Sequence, residues 1–329
     1  RRLEGPFRFE IKQYLSQQKM GWIFSGKCTS KARLDNKTAV VTGCNVGIGY
    51  YTVLDFYKRG AKVIMACRSI TKANEAAEKI KEECKNLNGV GELKVVELDL
   101  SSMKSVRKCA SQLMEEERIN ILVNNAGIMT PTRQVTEEGF EMQLATNHLG
   151  HFLLTLLILP RILKSAPARI INVSSTAHCI ANEINFEDIN WEKSYSFHKS
   201  YCQTKLANIL FTNELARRLK DTNITTYTLH PGEVDTQMCE DFAAAIFPGV
   251  LFLYKHIGRH FMKSPKKGAE TTIYCAVDER AGAETGLYYI DCKVARAPRQ
   301  MKNEEMAKKL WEVSSDMVQL GSYDPFKEG

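Results

Sequence analysis

Strand-like and helix-like segments alternate along most of this chain, and that alternation constrains its fold more than any other feature. Short runs rich in β-branched and apolar residues read as strands at Val40–Thr42, Lys62–Ala66, Leu93–Glu97, Ile121–Asn124, Arg169–Ser174 and Thr225–Leu229, with a late one at Leu287–Ile290. Between them, Ile48–Arg59, Lys72–Lys85, Ser102–Glu117, Gly139–Lys164 and Tyr201–Leu219 read as helices. Such alternation predicts an α/β fold, a doubly wound parallel sheet with helices on both faces. In sheets of this kind ligands bind beyond the carboxyl ends of the strands. Residues Gly43, Asn124, Ser175 and Pro231 all fall at or just past a strand end, which places them on one rim.

The first of these junctions has the makings of a phosphate site. The strand ending at Thr42 runs straight into Gly43-Cys44-Asn45-Val46-Gly47-Ile48-Gly49, and a helix follows at once. Glycines let the backbone turn tightly and approach a pyrophosphate, while a helix start offers unpaired N–H groups and the positive end of a dipole. The spacing, Gly43-x-x-x-Gly47-x-Gly49, differs from the G-x-G-x-x-G fingerprint of many dinucleotide-binding proteins. Alone, it would also suit a glycine-containing turn without a ligand.

A second signal lies far downstream. Tyr201 and Lys205 are four residues apart, so on a helix they share a face, with Cβ atoms roughly 5–6 Å apart. An ammonium held there stabilises tyrosinate and can lower the phenol from its ordinary pKa of about 10. That makes Tyr201 usable as a proton donor and acceptor near neutral pH. Tyr and Lys are common on exposed helix faces, so the pair gains its weight from the glycine turn and from Ser174-Ser175 upstream.

Together these residues resemble the short-chain dehydrogenase/reductase family. Thr42-Gly43-x-x-x-Gly47-x-Gly49 matches its cofactor loop, Asp99-Leu100 the position that contacts adenine, and Asn124-Asn125-Ala126-Gly127 the segment after the fourth strand. Asn147 fits the helix asparagine of the catalytic tetrad, Asn172-Val173-Ser174-Ser175 the end of the fifth strand, and Tyr201 with Lys205 the catalytic pair. His230-Pro231-Gly232-Glu233-Val234-Asp235-Thr236 matches the segment beside the nicotinamide, so seven motifs stand in the family's order over about residues 36–290. Ala66-Cys67-Arg68, Asn147-His148-Leu149-Gly150-His151-Phe152, Lys205–Phe211 and Lys267–Thr271 look closest to its retinol dehydrogenase branch.

The resemblance implies a Rossmann-type single domain over residues 36–292, between an N-terminal arm (1–35) and a C-terminal extension (293–329). It implies catalysis by Asn147, Ser175, Tyr201 and Lys205, with Ser175 orienting the substrate oxygen in preference to Ser174, and Asn147 holding a water that relays protons from Lys205. It implies cofactor contacts from Gly43, Asn45, Val46, Gly47, Ile48, Gly49, Asp99, Leu100, Asn125, Ala126, Gly127, Pro231, Gly232, Val234 and Thr236, besides Tyr201 and Lys205. Where many NAD enzymes carry an acidic residue for the ribose hydroxyls, this chain reads Cys67-Arg68-Ser69. No carboxylate stands there to repel a 2′-phosphate and Arg68 can pair with one, which predicts NADP(H) over NAD.

Residues 237–268 form an apolar substrate lid in this reading, because Ala243–Tyr254 is strongly apolar and follows the nicotinamide-side segment. Such a lid suits a retinoid, steroid or fatty aldehyde; core packing and membrane-surface contact are the other fates open to it. The expected activity is the interconversion of an apolar alcohol with its aldehyde or ketone, retinal reduction first, with a steroid or xenobiotic carbonyl reductase second. A catalytically idle dinucleotide-binding sensor or scaffold is the reading of another class, which the intact tetrad argues against. Phe152–Leu159 is almost wholly apolar and fits either a buried core or a homodimer contact.

Composition limits the remaining options. The net charge of +7 is spread among acidic residues and broken by Glu115-Glu116-Glu117, so no basic stripe or motif supports nucleic-acid binding. Ten cysteines lack C-x-x-C or zinc-ligand spacing, which fits free thiols in a reducing, intracellular compartment. His148 and His151 suit packing or hydrogen bonding better than metal binding, and no metal is expected. No run of 18 apolar residues exists, and a chain beginning Arg1-Arg2 leaves open an upstream anchor to the endoplasmic-reticulum membrane.

Overall fold

The computed structural model describes residues 25–236, 240, 248–256, 258–296 and 299–327. Seven parallel strands and one antiparallel edge strand form a single sheet in the order β3-β2-β1-β4-β5-β6-β7-β8. The strands are β1 (Thr38–Thr42), β2 (Lys62–Cys67), β3 (Glu92–Glu97), β4 (Ile121–Asn124), β5 (Ala168–Val173), β6 (Ile224–His230), β7 (Leu287–Ile290) and β8 (Lys293–Val294). The chain leaves β1 toward β2 on one side and later returns to β4 on the other, so the strand order reverses between β1 and β4. A crevice at that switch point is where an open sheet of this type takes a ligand.

Alternation along each strand explains why both faces carry helices. Ala39, Val41, Val63, Met65, Ile121 and Val123 point into one apolar layer, and Val40, Ile64, Ala66 and Leu122 into the other. Helices α1 (Gly47–Lys58), α2 (Ile70–Glu83) and α7 (Pro265–Val277) cover the first layer. Helices α3 (Met103–Met114), α4 (Met142–Lys164) and α5 (Phe197–Arg218) cover the second. The sequence reading places strand and helix ends within a few residues of these bounds. It misses α7, α8 (Glu304–Met317) and the two-residue β8.

Two further findings concern the flanks. Residues 25–35, the described part of the N-terminal arm, lie on the domain: Cys28 and Leu34 are buried, the Cys28 N–H donates to Glu270, and Arg59 donates to the Ser30 and Ala32 carbonyls. In the C-terminal extension, α8 seats Trp311 edge-on against Phe152 of α4, with ring centroids 5.2 Å apart. Phe152, Leu153, Leu154, Leu156, Ile158 and Leu159 are at most 1% exposed, so a single chain buries the stretch for which a homodimer contact was also open. Helix α4 is long and apolar enough to cross a membrane, but 83% of its apolar window is buried inside the fold, as in a core helix. Of the apolar lid, α6 (Pro248–His256) is a helix, and residues 237–239 and 241–247 lie outside the described residues.

Candidate active site

The glycine turn at the switch point is built around Thr42. Its hydroxyl accepts the main-chain N–H groups of Asn125 and Ala126 at 3.0 Å each, and the Asn125 amide donates back to the Thr42 and Gly43 carbonyls at 2.9 and 3.2 Å. These bonds lock the β1 and β4 ends together beneath the turn. Gly43 adopts φ +59°, and a Cβ there would lie 2.7 Å from the Ala126 side chain. Gly47, φ +62°, is different: a Cβ there would meet nothing within 4 Å. The space over Gly47 lies at the start of α1, whose N-cap is the exposed Val46, a side chain that cannot cap. Helices α2, α3, α7 and α8 are capped by Ser69, Ser102, Ser264 and Asn303. Open N–H donors beneath open space fit the phosphates of a dinucleotide.

Across the rim, α5 presents the tyrosine–lysine pair. Tyr201 is 9% exposed and Lys205 3%, and the Lys205 Nζ sits 5.5 Å from the centre of the Tyr201 ring. Burial pushes the Lys205 amine down from 10.5 to about 8, while its Nζ donates to the Val173 carbonyl at 3.2 Å. The two serines after β5 part company. The Ser174 hydroxyl is buried and donates to the Lys205 carbonyl at 2.8 Å, tying the strand to the helix. Among the described residues the hydroxyl of the half-buried Ser175 only accepts, from the Ala177 N–H at 3.2 Å, which leaves its hydrogen available there.

Asn147 occupies a π-helical segment of α4, Ala145–Leu149, and its side chain reaches α5. Its Oδ1 accepts the Ile128 N–H at 2.8 Å, and its Nδ2 donates to the Ile128 carbonyl at 2.9 Å and the Thr204 hydroxyl at 3.2 Å. Thr204 in turn donates to the Tyr201 carbonyl at 2.8 Å. The amide is thus engaged as a brace between α4, the loop after β4 and α5.

Known proteins match this arrangement over most of the chain. Residues 37–246 match the family model described as short chain dehydrogenase. The chain belongs to the short-chain dehydrogenase family. It is 43% identical over 297 residues to human "Retinol dehydrogenase 11", covering 90% of each chain, and 41% identical over 304 residues to human "Retinol dehydrogenase 13", covering 91% of this chain and 89% of that one. Among solved structures, a putative uncharacterized protein from Mycobacterium paratuberculosis superposes with a TM-score of 0.71 at 33% identity, over 90% of this chain and 98% of its own. The Pseudomonas aeruginosa RhlG/NADP active-site complex gives 0.61 at 25% identity, over 78% and 94%. The chain is therefore a short-chain oxidoreductase that acts on CH–OH groups or the corresponding carbonyls with a nicotinamide cofactor.

The other residues expected to meet the cofactor differ in exposure. Arg68 is exposed at the end of β2, just before the start of α2, with no hydrogen bond or ion pair among the described residues. Asp99 is half-buried and accepts from the Ser101 N–H and hydroxyl at 2.9 and 2.6 Å. The Leu100 side chain is 5% exposed and packs in the second core layer, against Gly150 of α4, so it offers a ligand little beyond its backbone. Pro231, Gly232 and Thr236 stay half-buried along the rim, whereas Val234 is buried and pairs its backbone with Lys263. Asn45, Ile48 and Gly127 are likewise half-buried around the cradle.

Some supporting residues lie outside the expected set. His151 is buried, neutral and pushed down to about 3 by burial; its Nε2 lies 2.9 Å from the Thr42 hydroxyl and its Nδ1 3.3 Å from the Asn147 carbonyl. It joins the cofactor turn to the π segment. Glu141 is a fully buried carboxylate that accepts the Gln143 and Leu144 N–H groups and the Ser200 hydroxyl at 2.9–3.1 Å. Ser200 immediately precedes Tyr201, so the start of α4 anchors the part of α5 that carries Tyr201. His148 bonds Ser314 of α8 at 2.8 Å, and among the described residues no group of three His, Cys, Asp or Glu could hold a metal.

Proposed function

We propose that this dehydrogenase uses NADP(H) and interconverts an apolar alcohol with its aldehyde or ketone, retinol and retinal being the first pair to test. The observation that carries the reading is the free Arg68 guanidinium at the end of β2, close to the start of α2, with no carboxylate there to oppose a 2′-phosphate. Its relatives named retinol dehydrogenases support the substrate class.

The bound nicotinamide would supply the hydride to a carbonyl carbon or take it from an alcohol. Tyr201 gives the substrate oxygen its proton in reduction and removes it in oxidation. Ser175, whose hydroxyl hydrogen is available, steadies that oxygen, while Ser174 is engaged with the Lys205 carbonyl. Lys205, close to the Tyr201 ring and poised near pH 8, favours the tyrosinate and can itself exchange protons near neutrality. Both hydrogens of the Asn147 amide nitrogen are spent on Ile128 and Thr204, so a relay water at this residue would donate to one of its two carbonyl oxygens.

Initial rates with NADPH and with NADH, against all-trans-retinal and a panel of steroid ketones and smaller aldehydes, test the proposal. Fast NADPH-dependent retinal reduction is the expected result. NADPH turnover with the other carbonyls alone would transfer the reading to a steroid or xenobiotic carbonyl reductase. Cofactor binding without turnover on any of them would favour a non-catalytic sensor.

A further inference from the structure

Cys44 lies inside the glycine turn, between Gly43 and Asn45, and Cys67 ends β2 directly below it. Their sulfurs are 3.6 Å apart, and both residues are at most 1% exposed. The Cys44 N–H points to the Cys67 sulfur at 3.4 Å, and the Cys44 thiol lies 3.1 Å from the Val41 carbonyl. We infer that Cys44 and Cys67 form a reversible disulfide site under the cofactor turn, closed by a hydroperoxide, reopened by a thiol, and opposed by bound cofactor. The cofactor part of this inference rests on the nicotinamide dinucleotide occupying the Gly43–Gly49 turn.

The two thiols are unequal in the way such chemistry needs. The Cys44 thiol and the main-chain N–H groups of Cys44, Asn45 and Gly43 hold Cys67 below the ordinary thiol range, against its burial. Burial pushes Cys44 well up, so it stays protonated. Cys67 gives up its proton more readily than Cys44 and, once it has done so, is the attacking group. It displaces alkoxide from a hydroperoxide: the O–O bond breaks, the alkoxide takes up a proton, and Cys67 becomes a sulfenic acid. Cys44 attacks that sulfur, the S–O bond breaks, and its proton leaves with the hydroxyl as water. Two thiols and one hydroperoxide thus give one disulfide, one alcohol and one water, with two electrons passing from sulfur to oxygen.

Closing the bond brings sulfurs now 3.6 Å apart to about 2.05 Å, a travel of roughly 1.5 Å. Strand β2 is hydrogen-bonded on both sides, to β1 and β3, and cannot follow easily. The turn is held less: among the described residues its ladder bonding ends at Gly43, and the Cys44 N–H meets only the Cys67 sulfur. Movement of the turn displaces the N–H groups that would meet the phosphates. Conversely, a dinucleotide seated on the turn holds Cys44 away from Cys67 and blocks the opening that a buried pair needs to meet an oxidant. By linkage, the factor by which the disulfide weakens cofactor binding equals the factor by which cofactor disfavours the disulfide.

The test uses the full chain, reduced, then exposed to tert-butyl hydroperoxide with and without saturating NADP⁺. After alkylation, peptide mass mapping should show a Cys44–Cys67 linked peptide lacking two hydrogens, with the NADPH Kd raised at least tenfold and restored by dithiothreitol. Saturating NADP⁺ should suppress the linked peptide. Cys44→Ala and Cys67→Ser should each abolish the oxidant-induced change in Kd, judged within each variant before and after treatment. Full alkylation of both thiols while the half-buried Cys179 carries the oxidation would overturn the site. A linked peptide with unchanged NADPH affinity would overturn its effect on the turn. If the reduced protein binds neither NADPH nor NADH, the cofactor reading fails, while the linked peptide still reports the disulfide independently.

Discussion

Replacing Lys205 by methionine should make the cofactor-free protein more stable at neutral pH and inactive at every pH. Burial lowers the Lys205 amine from 10.5 to about 8, a difference worth about 3 kcal/mol against keeping it charged. This is a base with a depressed folded-state pKa, so between pH 8 and 10.5 the unfolded chain holds a proton that the folded chain has released. Stability therefore rises with pH across that window, and below it the full cost is present. Lys205→Met removes the cost together with the Nζ bond to the Val173 carbonyl, worth about 1 kcal/mol. That carbonyl is not orphaned, because the Asn208 amide also donates to it at 3.3 Å. The expected net gain is about 2 kcal/mol at pH 7, shrinking to near zero by pH 10, where the wild-type amine is neutral in the folded chain. Urea unfolding of both proteins at the two pH values measures it. A variant less stable than wild type at pH 7, or an advantage equal at both pH values, would refute the argument that Lys205 is a buried charge.

Three other substitutions probe separate parts of the molecule. Tyr201→Phe should lower kcat by about 10²–10⁴ while changing the NADPH Kd by less than about threefold; full turnover would remove Tyr201 from proton transfer. Arg68→Asp should raise the NADPH KM about tenfold or more, as expected for a lost charge-assisted contact, with a smaller effect on NADH. Equal weakening of the two cofactors would sink the phosphate role. Trp311→Ala should cost about 3–5 kcal/mol in urea unfolding, because the ring fills the angle between Phe152 and Phe211 and carries Arg218 stacked at 4.2 Å. A loss below about 1 kcal/mol would show that α8 is peripheral to the core.

Much of the sheet was legible because its information is local. A buried parallel strand needs apolar residues on both faces, so Val40–Thr42 reads as part of a strand without knowledge of its neighbours. Strand and helix ends were less legible, since they depend on which partner supplies the last hydrogen bond: β1 starts at Thr38 because its N–H meets Asn120, on a distant segment. Helix α8 carried a signal that could have been used. Asn303 is an N-cap residue, and Ala307, Leu310, Trp311 and Ser314 fall on one helical face. It lies beyond the last family motif, at about residue 290. The π segment in α4 had no comparable signal, because it accompanies bonds from Asn147 to Ile128 and Thr204, residues remote in sequence.

The same division runs through the site. The juxtapositions at the proposed reacting centre were legible because the proposed chemistry demands them: a phenol with an amine one helical turn away, and glycines where the backbone must open at Gly43 and Gly47. Their poise was not, because it comes from groups that contribute no catalytic chemistry. Lys205 is shifted by burial against the end of β5, the Ser174 hydroxyl is engaged by the Lys205 carbonyl, and Ser200 beside Tyr201 is held by Glu141. His151 completes this frame, linking Thr42 under the cofactor turn to the Asn147 carbonyl on the catalytic side. A neutral, buried imidazole joins the two half-sites without adding a charge to either. The glycine turn and the proposed proton-transfer residues are therefore one mechanical unit, and a change at Thr42 or His151 should disturb both the proposed cofactor binding and turnover although neither residue has to touch the substrate.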